Sequence, residues 1–282
     1  MSGSASPLLI MVSPTGARRT KRDHPALPMT AEEIAVEARA CLDAGAAALH
    51  VHVRDSAGLH TIDPDAYRTA FAAIERAVGR NRLVLQATSE TAGRYQPAEQ
   101  IAAMRELRPE VVSVAVRELV PDAAAEPAAA DFFAWLERER IGVQHIVYSI
   151  AELRRFQDLR NRGIIPGARP GLLYVLGRYG DEANPALPSE LLPFLAEAET
   201  GAQTLPWMVC AFGKFEAACS LAAATLGGHV RVGFENNLHL SNGELAPNPA
   251  ALAAQVAAFA QAAGRSVVTD LDTAREVLGC PR

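Results

Sequence analysis

The stretch "ALHVHVRDSAGLHTIDPDAYRTAFAAIERAVG" (residues 48–79) decides the fold. Its first six residues alternate apolar and β-branched side chains with histidine, and a polar loop follows. From Asp63 onward apolar residues recur at helical spacing until Gly79 stops them. A strand leading into an amphipathic helix is the repeating unit of a parallel sheet covered by helices. The same unit stands before it: "LLIMVS" (8–13) is a short apolar run, and "TAEEIAVEARACLDAG" (30–45) has Thr30 as N-cap, Glu33 three residues on and Gly45 at its end. It recurs downstream as "LVLQATS" with "QPAEQIAAMREL", "VVSVAV" with "AAADFFAWLERER", "GVQHIVYS" with "AELRRFQDLRNRG", "GLLYVLG" with "SELLPFLAEAE", "TLPWMVCAF" with "KFEAACSLAAATLG", and "HVRVGF" with "NPAALAAQVAAFAQAAG". Eight such units, with no Gly/Pro-rich or Ser-rich linker between them, predict an α/β protein of one domain over residues 1–282, a single (β/α)8 TIM barrel. The rival is a doubly wound sheet, whose G-x-G-x-x-G fingerprint would follow the first strand; "SPTGARRT" stands there instead.

Composition narrows the function classes. A chain of 282 residues, 49% hydrophobic and 21% charged, can bury a sizeable core. Its formal net charge of −5 supplies no basic field, which argues against nucleic acid or an anionic membrane as main partner. Cys41, Cys210, Cys219 and Cys280 form no C-x-x-C pair and suit reduced thiols of a cytoplasmic protein rather than a metal site. "PLLIMVSP" is too short for a signal peptide, and no segment reaches the roughly 18 apolar residues of a membrane span. The expectation is a soluble, cytoplasmic protein.

In a barrel of this kind, chemistry collects at the C-terminal ends of the strands. The polar residues there are Ser13, Thr15 and Arg18 after strand one, His50, His52, Arg54 and Asp55 on strand two, and Gln86, Thr88, Ser89 and Glu90 on strand three. Arg117 and Glu118, Gln144 and Tyr148, and Arg178 and Tyr179 follow on strands four to six; Arg231, Glu235, Asn236 and Asn237 belong to strand eight. Residues i and i+2 of a strand share a face, so His50 and His52 can reach one point, where Glu235 could add a carboxylate. Two imidazoles and a carboxylate with an open position suit a catalytic zinc or similar divalent ion. Hydrogen-bonded core histidines are the alternative. Of the other histidines, His24 and His60 lie in loops and are expected near substrate or solvent, and His229 opens strand eight in a structural role. Trp135 and Trp207 are expected to pack.

These residues also carry a resemblance. "LHVHVRDSAGLHTIDPDAY", "LYVLGRYG" and "GGHVRVGFENN", with the opening "SPTGAR" and the closing "TAREVLG", together resemble the β-keto acid cleavage enzyme family, whose founding activity is 3-keto-5-aminohexanoate cleavage. The resemblance implies a zinc-dependent (β/α)8 barrel, commonly a homotetramer, that takes a 3-oxo acid and acetyl-CoA to acetoacetate and a new acyl-CoA. It puts the metal on His50, His52 and Glu235, and gives Arg231 the task of holding developing negative charge. Thr88 and Ser89 match hydroxyls expected to bind the substrate carboxylate.

Three positions depart from the founding type. Asn236 stands where that type has an aspartate of the catalytic group, and an amide is no general base near neutral pH, so Glu90 at the end of strand three becomes the candidate base. Its alternative is to order its loop or pair with Arg94. Arg18 replaces a glutamate after "TGA", and Arg117 a small hydroxylated residue. Both changes favour a distal carboxylate over an amino group, as in a 3-oxo dicarboxylic acid, although the phosphates of CoA are another partner for arginine. A metal-dependent hydrolase or lyase that does not use CoA is the alternative function, and a non-catalytic zinc sealed by a fourth ligand is the structural one.

Overall fold

The computed structural model describes residues 6–178, 185–201 and 204–281. Its strands and helices run in chain order as β1 (Ile10–Val12), α1 (Ala31–Asp43), β2 (Ala48–Val51), β3 (Val53–Arg54), β4 (His60–Thr61), α2 (Pro64–Val78), β5 (Val84–Thr88), α3 (Pro97–Leu107), β6 (Val111–Ala115), α4 (Val116–Leu119) and α5 (Glu126–Arg138). There follow β7 (Gly142–Val147), α6 (Ile150–Asn161), β8 (Gly171–Leu176), α7 (Leu191–Ala198), β9 (Trp207–Ala211), α8 (Glu216–Thr225), β10 (His229–Val232), α9 (Pro249–Ala262) and α10 (Leu271–Val277). Eight strands close in the order β1-β10-β9-β8-β7-β6-β5-β2, every pair parallel, which is a TIM barrel.

Local chemistry explains the helix starts. Thr30 Oγ1 accepts the Glu33 amide while the Glu33 carboxylate accepts the Thr30 and Met29 amides, the expected capping box, worth about 1 kcal/mol. Asp63 caps α2 ahead of Pro64, whose missing N–H costs nothing in a first turn. Alternation along the strands then makes two cores. Leu49, Val51, Val112, Val114 and Tyr174 face outward under the helices, whereas Met11, Ala48, Val84, Ile146, Leu173 and Cys210 pack inside the barrel. Helix α10 and the tail behind it close the N-terminal mouth. A Cβ on Gly171 would lie 2.8 Å from the Val277 backbone carbonyl, so this strand start must be glycine, and one on Gly142 would press on Cys280 Sγ at 2.6 Å.

Two expected strands end early. The run read as one strand from Ala48 to Val53 stops at Val51; Val53 and Arg54 turn away and pair antiparallel with Thr61 and His60 in a hairpin beside the mouth. The Asp55 carboxylate fixes its turn by accepting the Ala57 and Leu59 amides. The strand read as 111–116 ends at Ala115, so Arg117 sits in the short turn α4. His229 Nδ1 accepts the Leu9 amide at 2.9 Å, a structural bond between neighbouring strands. Trp207 covers Gly228, where a Cβ would lie 2.1 Å from its ring, and Trp135 packs against Phe132. Among the described residues no helix is long and apolar enough to cross a membrane.

Candidate active site

His50 Nε2, His52 Nε2 and Glu235 Oε2 converge at the C-terminal mouth. The imidazole nitrogens are 3.0 Å apart, and Glu235 Oε2 lies 3.5 Å from His50 Nε2 and 3.6 Å from His52 Nε2. All three residues are buried, and among the described residues they form the group able to hold a metal ion. The circle through these atoms has a radius of about 2.0 Å, which matches the reach of zinc to imidazole nitrogen and carboxylate oxygen. The spacing of the donor set therefore fits a divalent cation.

Each donor is held from behind. Gln86 gives its amide hydrogen to Gln144 Oε1 at 3.1 Å, so its own oxygen faces His50 and accepts Nδ1–H at 2.6 Å. His50 thus keeps its Nε2 lone pair for the site. Gln144 continues the chain to Met208 Sδ at 3.5 Å. Both glutamines lie inside the barrel and serve the histidine rather than the mouth. Glu235 accepts from Ser13 Oγ, and Arg231 Nη2 lies 3.3 Å from Glu235 Oε1. Burial alone would push Glu235 up, but the Arg231 guanidinium beside it holds it well below the usual carboxylate range. Burial, with Arg231 next to it, drives His50 well below the ordinary imidazole value, so the ring is neutral and able to ligate.

The turn carrying Glu235 needs a glycine. Gly233 has φ 140° and passes so close to β1 that a Cβ would lie 2.2 Å from the Ser13 carbonyl. Its N–H donates to Glu216 Oε1 at 3.1 Å and Asn237 Nδ2 donates to Glu216 Oε2 at 3.2 Å, so a buried carboxyl on α8 ties both ends of the turn. Burial pushes Glu216 up to about 8. Arg54 fastens the loop after β1, beside that turn: its guanidinium donates to the carbonyls of Gly16 at 2.5 Å, Ala17 at 2.7 Å and Arg19 at 3.0 Å. The arginine and aspartate after H-x-H thus build the wall and the hairpin of the site.

Above the three donors opens a cavity of about 390 Å³ whose lining includes His50, Thr88, Glu90, Arg117, Tyr148 and Arg231, with Arg18 and Arg178 toward its rim. Glu90 Oε2 lies 3.7 Å from His52 Nε2, and burial raises its pKa. Arg94, its partner in the alternative reading, pairs with Asp55 instead at 3.6 Å. Arg117 stacks on the Tyr148 ring at 3.6 Å and lies 3.5 Å from Glu152. Arg231 is 3% exposed, so it is no surface charge. Three expected site residues do not line the cavity: His52, which lies behind His50 and Glu90, and Ser89 and Asn236. Ser89 donates its hydroxyl to the Ser113 carbonyl at 3.1 Å, and Asn236 is buried with neither amide atom hydrogen-bonded. Tyr179 lies outside the described residues.

The other histidines divide. His145 packs between Phe133 and Phe156, and His24 is buried against Phe234. His60, expected in a loop near substrate or solvent, is buried against His52, with Nδ1 to Nδ1 at 3.4 Å. Its signal in the sequence is faint, since a two-residue hairpin strand has no periodicity.

The family model described as beta-keto acid cleavage enzyme matches residues 7–280. The chain belongs to this family. The chain is 28% identical over 280 residues to a 3-oxoadipate:acetyl-CoA acetyltransferase of Cupriavidus necator, covering 98% of this chain and 95% of that protein. It is 29% identical over 277 residues to a 3-keto-5-aminohexanoate cleavage enzyme of Fusobacterium nucleatum, covering 96% and 97%. Among solved structures, the binary complex of ObcA with oxaloacetate aligns with a TM-score of 0.73 over 90% of this chain and 68% of that one, at 17% identity, a likeness of fold.

Proposed function

We propose that this member of the beta-keto acid cleavage enzyme family is a zinc-dependent acyltransferase that takes a 3-oxo acid and acetyl-CoA to acetoacetate and a new acyl-CoA. The observation that carries the reading is the convergence of His50 Nε2, His52 Nε2 and Glu235 Oε2 beneath a cavity lined by Glu90 and Arg231. A zinc or other divalent cation there would supply Lewis-acid polarisation of the keto acid.

The chain's own groups do the rest. Glu90, the cavity carboxylate beside His52, removes the C2 proton; Asn236 has no basic atom for that task. Arg231, buried and fixed by Glu235, faces the cavity with a permanent positive charge that stabilises negative charge as it develops. Thr88 Oγ1, which already accepts the Glu90 amide at 3.1 Å, has its hydroxyl hydrogen to offer the substrate carboxylate, whereas Ser89 supports the wall. The C2 carbanion adds to the thioester carbonyl of acetyl-CoA and expels the CoA thiolate. The thiolate then attacks the C3 carbonyl of the adduct, and the C2–C3 bond breaks with its electron pair on C2, which takes back the proton held by Glu90. Acetoacetate leaves with C1 and C2 of the keto acid, and the remainder leaves as the new acyl-CoA.

Arg18 and Arg117 in the same cavity suit a substrate with a distal carboxylate, a 3-oxo dicarboxylic acid, because guanidinium and carboxylate form paired charged hydrogen bonds. The protein acts in the cytoplasm as a single-domain homotetramer. The test is turnover of a panel of 3-oxo acids bearing distal carboxylate, methyl or amino groups, with acetoacetate as readout. Acetoacetate formed only when acetyl-CoA is present supports the reading; breakdown of the acid without CoA would replace it with a hydrolase or lyase.

A further inference from the structure

His60 has its two ring nitrogens committed in a way that decides the state of a neighbour. Its Nε2 lies 2.8 Å from the Glu90 backbone carbonyl, which only accepts, so Nε2 carries the hydrogen. A neutral imidazole then has an acceptor at Nδ1, and that atom faces His52 Nδ1 at 3.4 Å. The hydrogen between them therefore belongs to His52 Nδ1, and His52 Nε2 is left with its lone pair. His50 reaches the same state through Gln86, so three electron-rich atoms meet with no hydrogen among them. We propose that His60 is a positioning residue for the metal ligand His52, fixing its Nδ1–H tautomer and ring orientation so that Nε2 is presented to a divalent cation.

The inference rests on the zinc reading of the site. Histidine ligands to a metal ordinarily donate their second nitrogen to a carboxylate, a backbone carbonyl or water. Here the acceptor is another imidazole, and its far side is fixed to the loop that carries Glu90. The hairpin position that places His60 is secured twice more, by Arg94 Nη1 donating to the His60 carbonyl and by the Tyr95 hydroxyl 3.3 Å from Thr61 Oγ1. Moving this hairpin would disturb the ligand and the candidate base together.

The test compares zinc affinity, by chelator competition, of the wild type with His60→Phe, His60→Gln and His60→Asn. Phenylalanine keeps the packing and loses both bonds; glutamine can reach the Glu90 carbonyl but lacks an acceptor at the Nδ1 position; asparagine restores that acceptor. The expected result is a loss of about 10- to 100-fold in affinity for Phe and Gln, the range found when such partners are removed, with Asn recovering most of it. Wild-type affinity in all three variants, or equal losses in all three, overturns the proposal. A wild type that binds no zinc removes the metal reading itself, a distinguishable failure. Two-bond nitrogen–proton spectra of the metal-free wild type test the tautomers without any variant. His52 protonated on Nδ1 and His60 on Nε2 support the assignment, and the opposite pattern refutes it.

Discussion

Replacing Glu216 by glutamine tests how the turn bearing Glu235 is held. The Glu216 carboxyl is fully enclosed and accepts hydrogen bonds from Gly233 N–H and Asn237 Nδ2. Burial pushes it up to about 8 from an ordinary value near 4.5. Below about pH 4.5 the group is protonated in both folded and unfolded chains and favours neither. As pH rises from there to about 8, the unfolded chain ionises while the folded one does not, so the wild type loses stability, at about 1.4 kcal/mol per pH unit. Between about pH 5 and 8 the loss from this group is on the order of 4 kcal/mol. Glutamine does not titrate. Its Oε1 can keep the Gly233 bond, but its NH2 faces the Asn237 NH2, whose oxygen is already taken by the His239 amide, a pH-independent cost of about 1–3 kcal/mol. Urea unfolding of both proteins in chelator, at pH 5 and 8, reads the difference. The variant should start less stable and gain on the wild type as pH rises. Parallel stability curves would mean instead that the two donors keep Glu216 ionised in the fold.

Other perturbations separate the parts of the site. Glu90→Gln should lower kcat by about 10²- to 10⁴-fold, the usual share of a general base, with zinc content unchanged; near-wild-type kcat would move proton removal elsewhere. Arg54→Lys keeps the charge but not the fork that reaches the Gly16, Ala17 and Arg19 carbonyls, so the wall carrying Arg18 should loosen. Steady-state kinetics should then show KM raised by about tenfold and kcat little changed. Arg117→Ala should cost a 3-oxo dicarboxylic acid about 1.5–3 kcal/mol in kcat/KM and leave a methyl-ended analogue nearly unaffected, measured on the same substrate panel.

The barrel was legible because its signal is periodic and repeated eight times. Apolar runs such as "GLLYVLG" lie buried on both faces, and "TAEEIAVEARACLDAG" carries both its cap and its stop. The three converging donors were legible for a narrower reason: H-x-H on a strand leaves few geometries, Glu235 is a carboxylate at the end of strand eight, and the resemblance marks the same three residues. What escaped depends on chain reversals and long-range packing. His60 returns to His52 through a hairpin of two-residue strands, too short to leave an alternation. Gln86 and Gln144 were read as mouth residues, but the tilt and stagger of neighbouring strands bring them together one layer deeper, behind His50. Ser89 and Asn236 stand at the right places in their motifs, yet neither lines the cavity. Helix α10, short and at the end of the chain, declared itself only through the glycines it packs against.

The proposed function requires one divalent cation on His50, His52 and Glu235 for acetyl-CoA-dependent cleavage. Its most direct test is to strip the protein with chelator, titrate it with zinc, and follow acetoacetate formation from acetyl-CoA and a 3-oxo dicarboxylic acid, with His52→Ala in parallel. Activity absent in the stripped wild type, rising to a plateau at one equivalent of zinc and never appearing in His52→Ala, is the predicted result. Full activity in the stripped protein, or zinc uptake and turnover undiminished in His52→Ala, would contradict it.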